Sequence, residues 1–342
     1  MGAWGKGKTM ENLILLDAYS QIFRSFYAIR HLTNARGEAV NAAFVFTKLL
    51  LKLERRFPER RSVMLFDCGK VDFRLKLAPD YKANRPPMPD DLKSQIPLIK
   101  RIAAAFGWQQ YACEGYEADD LIGAVARHCE KDYRIMVLSS DKDLSQLVNE
   151  NISMLVPQNG NKGDFEVRGV AEVTERFGVA PEMIVDYLAL LGDSSDNIAG
   201  VPGIGPKSAA ELLNSCGAAE NWIEEPEKIK GSRFFKKLDG NFELLKRNRK
   251  LVALRTEMFE ELAGKLPELL TKKSPDWAEI AEICRDNQFN SILKELPEVP
   301  EVEEVPAAVA DEEPDLFSFA AAAEVPPAKE PVPDQPQQLE LF

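Results

Sequence analysis

Leu13-Ile14-Leu15-Leu16-Asp17 reads as a buried strand that stops on a carboxylate. Two further apolar runs repeat the pattern: SVMLFD at 62–67 ends on Asp67, and RIMVLSS at 134–140 stops just before Asp141. Around them the apolar spacing turns helical, over 39–53 and at about 90–106, 118–130, 143–149, 170–177 and 181–191. Strands alternating with helices at this spacing predict an α/β fold with a mostly parallel sheet covered by helices. Beyond about residue 180 no buried strand is expected, so the second half reads as helical. An Asp after a strand is ordinarily a turn residue or a helix N-cap. Three in register are more informative, because open α/β sheets bind ligands beyond the carboxyl ends of their strands, at the switch point.

Composition narrows the function. The 342 residues carry 55 acidic and 43 basic side chains, a net charge of −12. From 297 to 342 there are twelve acids, one base (Lys329), nine of the 22 prolines and no glycine, a net of −11. That composition predicts a disordered tail. The remaining 296 residues are near neutral, with 43 acids and 42 bases. No apolar run is long enough for a membrane span, and no secretory signal opens the chain. Five cysteines without a CxxC pair argue for a reducing cytosol and against a disulfide framework or zinc site. With only His31 and His128 present, chemistry must come from carboxylates.

Those carboxylates gather. Glu117, Asp119 and Asp120 open the helix that follows Gly115-Tyr116, Asp143 lies two residues after Asp141, and Asp193 and Asp196 follow the helix ending at Leu191. Acids in a first helical turn suit the macrodipole, which accounts for one or two of them but not for nine on five segments. Nine carboxylates in one place repel unless cations join them or some stay protonated. Mg²⁺ or Mn²⁺ with oxygen ligands is the natural complement. Two such ions about 3.5–4 Å apart favour phosphodiester hydrolysis by stabilising the attacking and leaving oxygens.

The stretches LILLDAYSQIFRSFYA (13–28), VMLFD (63–67), YKANRPPMP (81–89), GYEADDLIG (115–123), LSSDKDLSQLV (138–148) and ALLGDSSDNIAGVPGIGPKSAAELL (189–213) carry a resemblance. In order, over roughly 12–265, they resemble the bacterial 5′ nuclease family: the 5′→3′ exonuclease domain of DNA polymerase I and the flap endonucleases. All nine acidic positions of that family hold acids here. The resemblance implies that Asp67, Glu117, Asp119 and Asp120 serve mainly a first metal with Asp17 beside it, and that Asp141, Asp143, Asp193 and Asp196 lean to a second. It makes 70–85 a helical arch that passes a single-stranded 5′ end. Lys82 and Arg85 would then grip the scissile phosphate, with Arg24 and Phe26 lining the mouth. Tyr81 beside Lys82 offers a stacking face.

Removing the nine acids leaves the body eight bases in surplus, enough for phosphate binding. Gly203 and Gly205, then Pro206, Lys207 and Ser208, place glycines in a turn before a helix whose backbone N–H groups face an anion. This resembles a helix–hairpin–helix, which holds duplex DNA by its phosphates and in the family often binds K⁺. A P-loop pattern at 2–9 is refused, because no strand precedes it and one follows; Met10 is an alternative start. At the far end, Gln338, Leu339, Leu341 and Phe342 form a pattern similar to the peptide that bacterial proteins insert into the sliding clamp, and 315–319 is a second candidate.

The expected organisation is an N-terminal extension (1–11), an α/β nuclease domain (12–180), a helical DNA-binding region (181–296) and the tail (297–342). The expected protein is a cytoplasmic, monomeric 5′→3′ exonuclease or 5′-flap endonuclease, without room for a polymerase. Two rivals stand beside it. A PIN-like single-strand RNase shares the acid-tipped sheet but lacks the hairpin at 200–209, and a non-catalytic DNA-binding scaffold predicts missing site acids.

Overall fold

In a computed structural model, which describes residues 10–69, 71–158 and 165–297, the opening run becomes β1 (Glu11–Asp17), the middle of a six-stranded sheet. β2 (Arg60–Phe66) pairs parallel on one side of it and β3 (Gln109–Ala112) lies beyond, at the edge. The chain then crosses back to β4 (Tyr133–Leu138) on the other side of β1, followed by parallel β5 (Ile152–Pro157) and antiparallel β6 (Phe165–Arg168). The order β3-β2-β1-β4-β5-β6 reverses between β1 and β4. The carboxyl ends of these two strands therefore open the crevice in which such sheets bind ligands.

Alternation along each strand divides the core. Leu13, Leu15, Val63, Leu65, Ile135 and Val137 face one layer; Ile14, Leu16, Met64, Phe66, Met136 and Leu138 face the other. Both faces are buried, so these strands are apolar at successive positions, as a covered parallel sheet requires. The second layer holds α1 (Ala18–Ala28), α2 (Asn41–Arg56) and, after the short α3 (Asp72–Leu77) on the other side, α4 (Asp90–Ala105).

The first layer holds α5 (Ala118–Cys129), α6 (Val170–Phe177), α7 (Ile184–Leu191), α8 (Pro206–Cys216), α9 (Phe235–Leu238), α10 (Phe242–Val252) and α11 (Glu260–Leu269). The helical second half thus shares one core with the sheet. Two last helices, α12 (Trp277–Asp286) and α13 (Asn290–Leu293), return to the opposite layer, where Ile280, Ile283 and Ile292 pack with Leu50 and Ile102.

Several expected elements differ in detail. The helix expected at 143–149 is a single 3₁₀ turn, Asp143–Leu147, and that at 181–191 opens with a 3₁₀ turn before α7. Among the described residues after 180, only the two-residue pairs Gly192–Asp193 and Ile198–Ala199 form strand. Among the described residues, no helix is long and apolar enough to cross a membrane.

Candidate active site

Asp17 ends β1 and caps α1, accepting from the Ser20 N–H at 3.2 Å. Its other oxygen accepts from the Ser139 hydroxyl at 2.9 Å, which ties it to the end of β4 across the switch point. Asp67, one residue past β2, accepts from the Ala118 N–H at 3.1 Å and so fixes the start of α5, whose first turn presents Asp119. Beyond β4, the Ser139 hydroxyl accepts from the Asp141 N–H, and Asp141 accepts from the Asp143 N–H at 2.9 Å.

These sheet-edge acids destabilise one another's charge. Burial pushes Asp17 up to about 7, with Asp67 and Asp141 adding to the rise. Burial also raises Asp119 well above the ordinary carboxylate range, helped by Asp141, Asp17 and Asp67. Asp143 is raised in the same way by burial, Asp141 and Asp193, and Asp141 rises as well, mainly through burial. Carboxylates held this close and this dry bind a proton or a cation.

On the loop side the acids already hold cations. Arg74 of α3, only 2 % exposed, clasps Asp120 through two hydrogen bonds of 2.6 and 2.8 Å and reaches Glu117 at 2.8 Å. It also donates to the Leu251 carbonyl at 3.1 Å. Burial alone disfavours the Arg74 charge, but Asp120 and Glu117 outweigh it and raise its pKa. The Lys82 ammonium pairs with Glu117 and Arg85 with Asp196, while Lys142 meets Asp193 at 2.9 Å. Burial pushes Asp193 up, yet the Ser195 hydroxyl and Lys142 hold it below the ordinary range.

The donor set suits a hard divalent ion at one end of this cluster. Carboxylate oxygens of Asp143, Asp193 and Asp196 come within 4.8 Å of one another. Asp143 Oδ1 is buried with no hydrogen-bond partner, an unsatisfied acceptor that a cation completes. Of the nine acids expected as metal ligands, Asp17, Asp67, Asp119, Asp141, Asp143, Asp193 and Asp196 converge here through direct contacts or mutual repulsion. Glu117 joins through Lys82 and through the Tyr81 hydroxyl, which donates toward it at 3.2 Å and toward Asp196 at 3.1 Å. Asp120 is turned away onto Arg74 and the Arg255 N–H.

Tyr81 requires a correction. It does not offer a stacking face: it is 9 % exposed, its ring is in the core, and its hydroxyl is among the acids. Lys82 adopts a positive φ of 57°, which separates the buried Tyr81 from the more exposed residues that follow. Arg24 of α1 donates to the Pro157 carbonyl at the end of β5 (3.0 Å), and Phe26 is half-buried, edge-on to Tyr27.

In the hairpin, Gly203 has φ +77° and Gly205 precedes Pro206 at the first position of α8, leaving Lys207 exposed and Ser208 half-buried beside it. The Lys237 ammonium donates to the Gly203 carbonyl at 2.6 Å. Gln338, Leu339, Leu341, Phe342, the segment 315–319 and the P-loop-like stretch at 2–9 lie outside the described residues. Sequence reasoning did not single out Ser139 or Lys142, although both flank Asp141, nor the pairing of Arg74 with an acid 46 residues away.

Residues 12–178 match the family described as 5′-3′ exonuclease, N-terminal resolvase-like domain, and 179–275 match its C-terminal SAM fold. The chain belongs to the 5′-3′ exonuclease family. It is 37 % identical over 287 residues to a 5′-3′ exonuclease of Aquifex aeolicus, covering 84 % of this chain and 95 % of that one. It is 36 % identical over 254 residues (74 % of this chain) to DNA polymerase I of Bacillus caldotenax, of which it spans 29 %. Among solved structures, the bacteriophage T5 flap endonuclease in complex with DNA and metal ions has a TM-score of 0.61 at 22 % identity. That match covers 80 % of this chain and all of the other. The catalytic core of Rad2 with DNA substrate reaches 0.57 at 14 %, covering 84 % and 92 %. These two likenesses are likenesses of fold. As a 5′-3′ exonuclease the chain is a nuclease, and its acid cluster fits the metal dependence typical of the family.

Proposed function

We propose that this 5′-3′ exonuclease is also a 5′-flap endonuclease. It hydrolyses DNA or RNA-primer phosphodiesters at the junction of duplex and 5′ single strand, in replication and repair. One observation carries the reading: Lys82 and Arg85 reach into the same cluster as the carboxylates, pairing with Glu117 and Asp196. Two cations beside a dense group of acids form a site that accepts a phosphate on one side and divalent ions on the other.

Asp17, Asp67, Glu117, Asp119 and Asp120 are assigned mainly to a first metal ion, and Asp141, Asp143, Asp193 and Asp196 to a second. Asp120 contributes from a distance, with its charge held by Arg74. Mg²⁺ is the ion proposed, with Mn²⁺ as a substitute; when bound, such ions stabilise charge on the attacking and leaving oxygens. The protein's own part is to orient and to neutralise. Lys82 and Arg85 hold the scissile phosphate, and their charge favours the more negative transition state. Arg24 and Phe26 line the approach, while Gly203, Gly205, Lys207 and Ser208 seat the duplex by its phosphates. K⁺ at this hairpin, bound through backbone carbonyls, competes with Lys237 for Gly203.

The tail peptide Gln338, Leu339, Leu341 and Phe342 is proposed to dock on the sliding clamp, and the enzyme to act as a cytoplasmic monomer. Loss of clamp co-elution on deleting 338–342 tests the docking. The activity is tested with a 5′-labelled flap duplex in Mg²⁺. Cutting near the junction, leaving 5′-phosphate and 3′-hydroxyl ends and much slower on the isolated strand, is expected. Equal cutting of the single strand would favour the PIN-like RNase instead.

A further inference from the structure

The segment that carries Lys82 and Arg85 is fastened to the loop that carries Asp193 and Asp196. The Lys82 N–H donates to the Asp196 carbonyl at 3.0 Å. The Asn84 amide donates to the Ser194 carbonyl at 2.7 Å. In the other direction, the Asn197 amide donates to both the backbone carbonyl and the carboxylate of Asp80, at 2.9 and 3.0 Å. Two asparagines, one on each strand of this contact, thus bracket Lys82.

The loop that carries Asn197 is itself tied down by backbone and side-chain contacts. Gly192 and Asp193 pair with Ala199 and Ile198, and the Val201 N–H donates to the Leu190 carbonyl at 2.8 Å. A side chain on Gly200 would collide with Leu191, since its Cβ would lie 2.1 Å from that carbonyl oxygen. The fully buried Asn248 of α10 donates to the carbonyls of Ala189 and Ala199. The loop at 193–197 is therefore continuous with the hairpin at 200–205 and pinned to α7 and α10. Asn197 itself takes a left-handed φ of 60°, a conformation asparagine tolerates better than most residues.

We propose that Asn84 and Asn197 are positioning residues that set Lys82 and Arg85 against the scissile phosphate, using the hairpin-linked loop as their reference. This rests on the reading that Lys82 and Arg85 hold that phosphate. Displacement of a phosphate-holding group by about 1 Å can cost around a hundredfold in rate. Loss of the two side chains lowers turnover without touching the surface that seats the duplex.

The experiment uses Asn197→Gly, which keeps the left-handed backbone and deletes only the hand-hold, with Asn84→Ala and the double variant. Each is made in the parent and in a Lys82→Ala background, and melting temperature checks folding. The expected result is a single-turnover rate on a flap duplex about 10- to 100-fold lower for the double variant, with duplex affinity in chelator within about twofold. In the Lys82→Ala background the same changes cost clearly less than in the parent, the remainder acting through Arg85, because groups acting as a unit are non-additive. Parental rates, a loss wholly in duplex affinity, or full additivity with Lys82→Ala each overturn the proposal. If Asn197→Gly does not fold, Asn84→Ala alone, on the exposed side of the contact, decides in the same way. A parental rate for Lys82→Ala itself overturns the phosphate-holding reading instead.

Discussion

On the sheet side of the cluster, Asp17, Asp67, Asp119, Asp141 and Asp143 make no ion pair among the described residues, and four of them are pushed up in pKa. On the loop side, Glu117, Asp120, Asp193 and Asp196 each hold a guanidinium or ammonium. All nine are carboxylates, and the difference comes from how each side is built. Strand ends and the turns just beyond them deliver short carboxylates from a buried backbone, and the nearby ammonium groups of Lys82 and Lys142 ease the charge of Asp119, Asp141 and Asp143 without pairing with them. Helix α3 and the loops place Arg74, Lys82, Arg85 and Lys142 within reach of their own acids. The first group needs an outside cation to ionise together. The second is neutralised internally and exchanges partners when a phosphate or metal arrives.

Removing acids from the unpaired side has the largest expected effect. Asp67→Ala combined with Asp141→Ala should lower flap-cleavage turnover by about three orders of magnitude or more, measured by single-turnover kinetics. Full activity of that variant breaks the division between the two sides.

On the paired side the prediction concerns stability. Arg74→Ala leaves Asp120 buried and uncompensated, and urea unfolding should show a loss of about 3–5 kcal/mol. Adding Asp120→Asn should recover part of it, and a loss well under 1 kcal/mol would mean the clasp contributes little.

The pH response separates the two sides more finely. Asp17 titrates near 7 in the folded protein against an ordinary value near 4. Between those values the folded state keeps a proton that the unfolded chain has released, so stability declines as pH rises through this window. Asp119 and Asp143 shift the same way. Metal-free protein should therefore melt lower at pH 8 than at pH 5, a penalty of about 3 kcal/mol at most from Asp17, and Mg²⁺ should shrink the difference. A higher melting temperature at pH 8 in chelator contradicts this.

The smallest effect is at Lys142. Its ammonium competes with any ion held by Asp143, Asp193 and Asp196, so Lys142→Met should tighten Mn²⁺ binding by about five- to tenfold. Calorimetry measures this, and weaker binding makes Lys142 a supporting rather than a competing group.

Much of this was legible in the sequence, for physical reasons. β1, β2 and β4 are central and covered on both faces, so they read as apolar runs, and their ends mark the site. β3, with sequence QQYA at the sheet edge, has no such run, and neither it nor β5 and β6 was anticipated. Neighbours on a helix point about 100° apart, so Asp119 and Asp120 never faced one point. Which of them turned away depended on Arg74, delivered by the fold and not by local pattern. Tyr81 illustrates the opposite error. Its place beside Lys82 suggested an exposed aromatic, whereas the backbone turn at Lys82 leaves it inside.

The unpaired carboxylates, together with Asp193 and Asp196, are expected to form a divalent-metal site serving hydrolysis. Equilibrium Mn²⁺ binding to the full chain, counted in parallel for the parent and for Asp67→Ala/Asp141→Ala, tests it most directly. Two ions per chain are expected in the parent and at least one is lost in the variant. Equal counts in both proteins, or no binding in the parent, would contradict it.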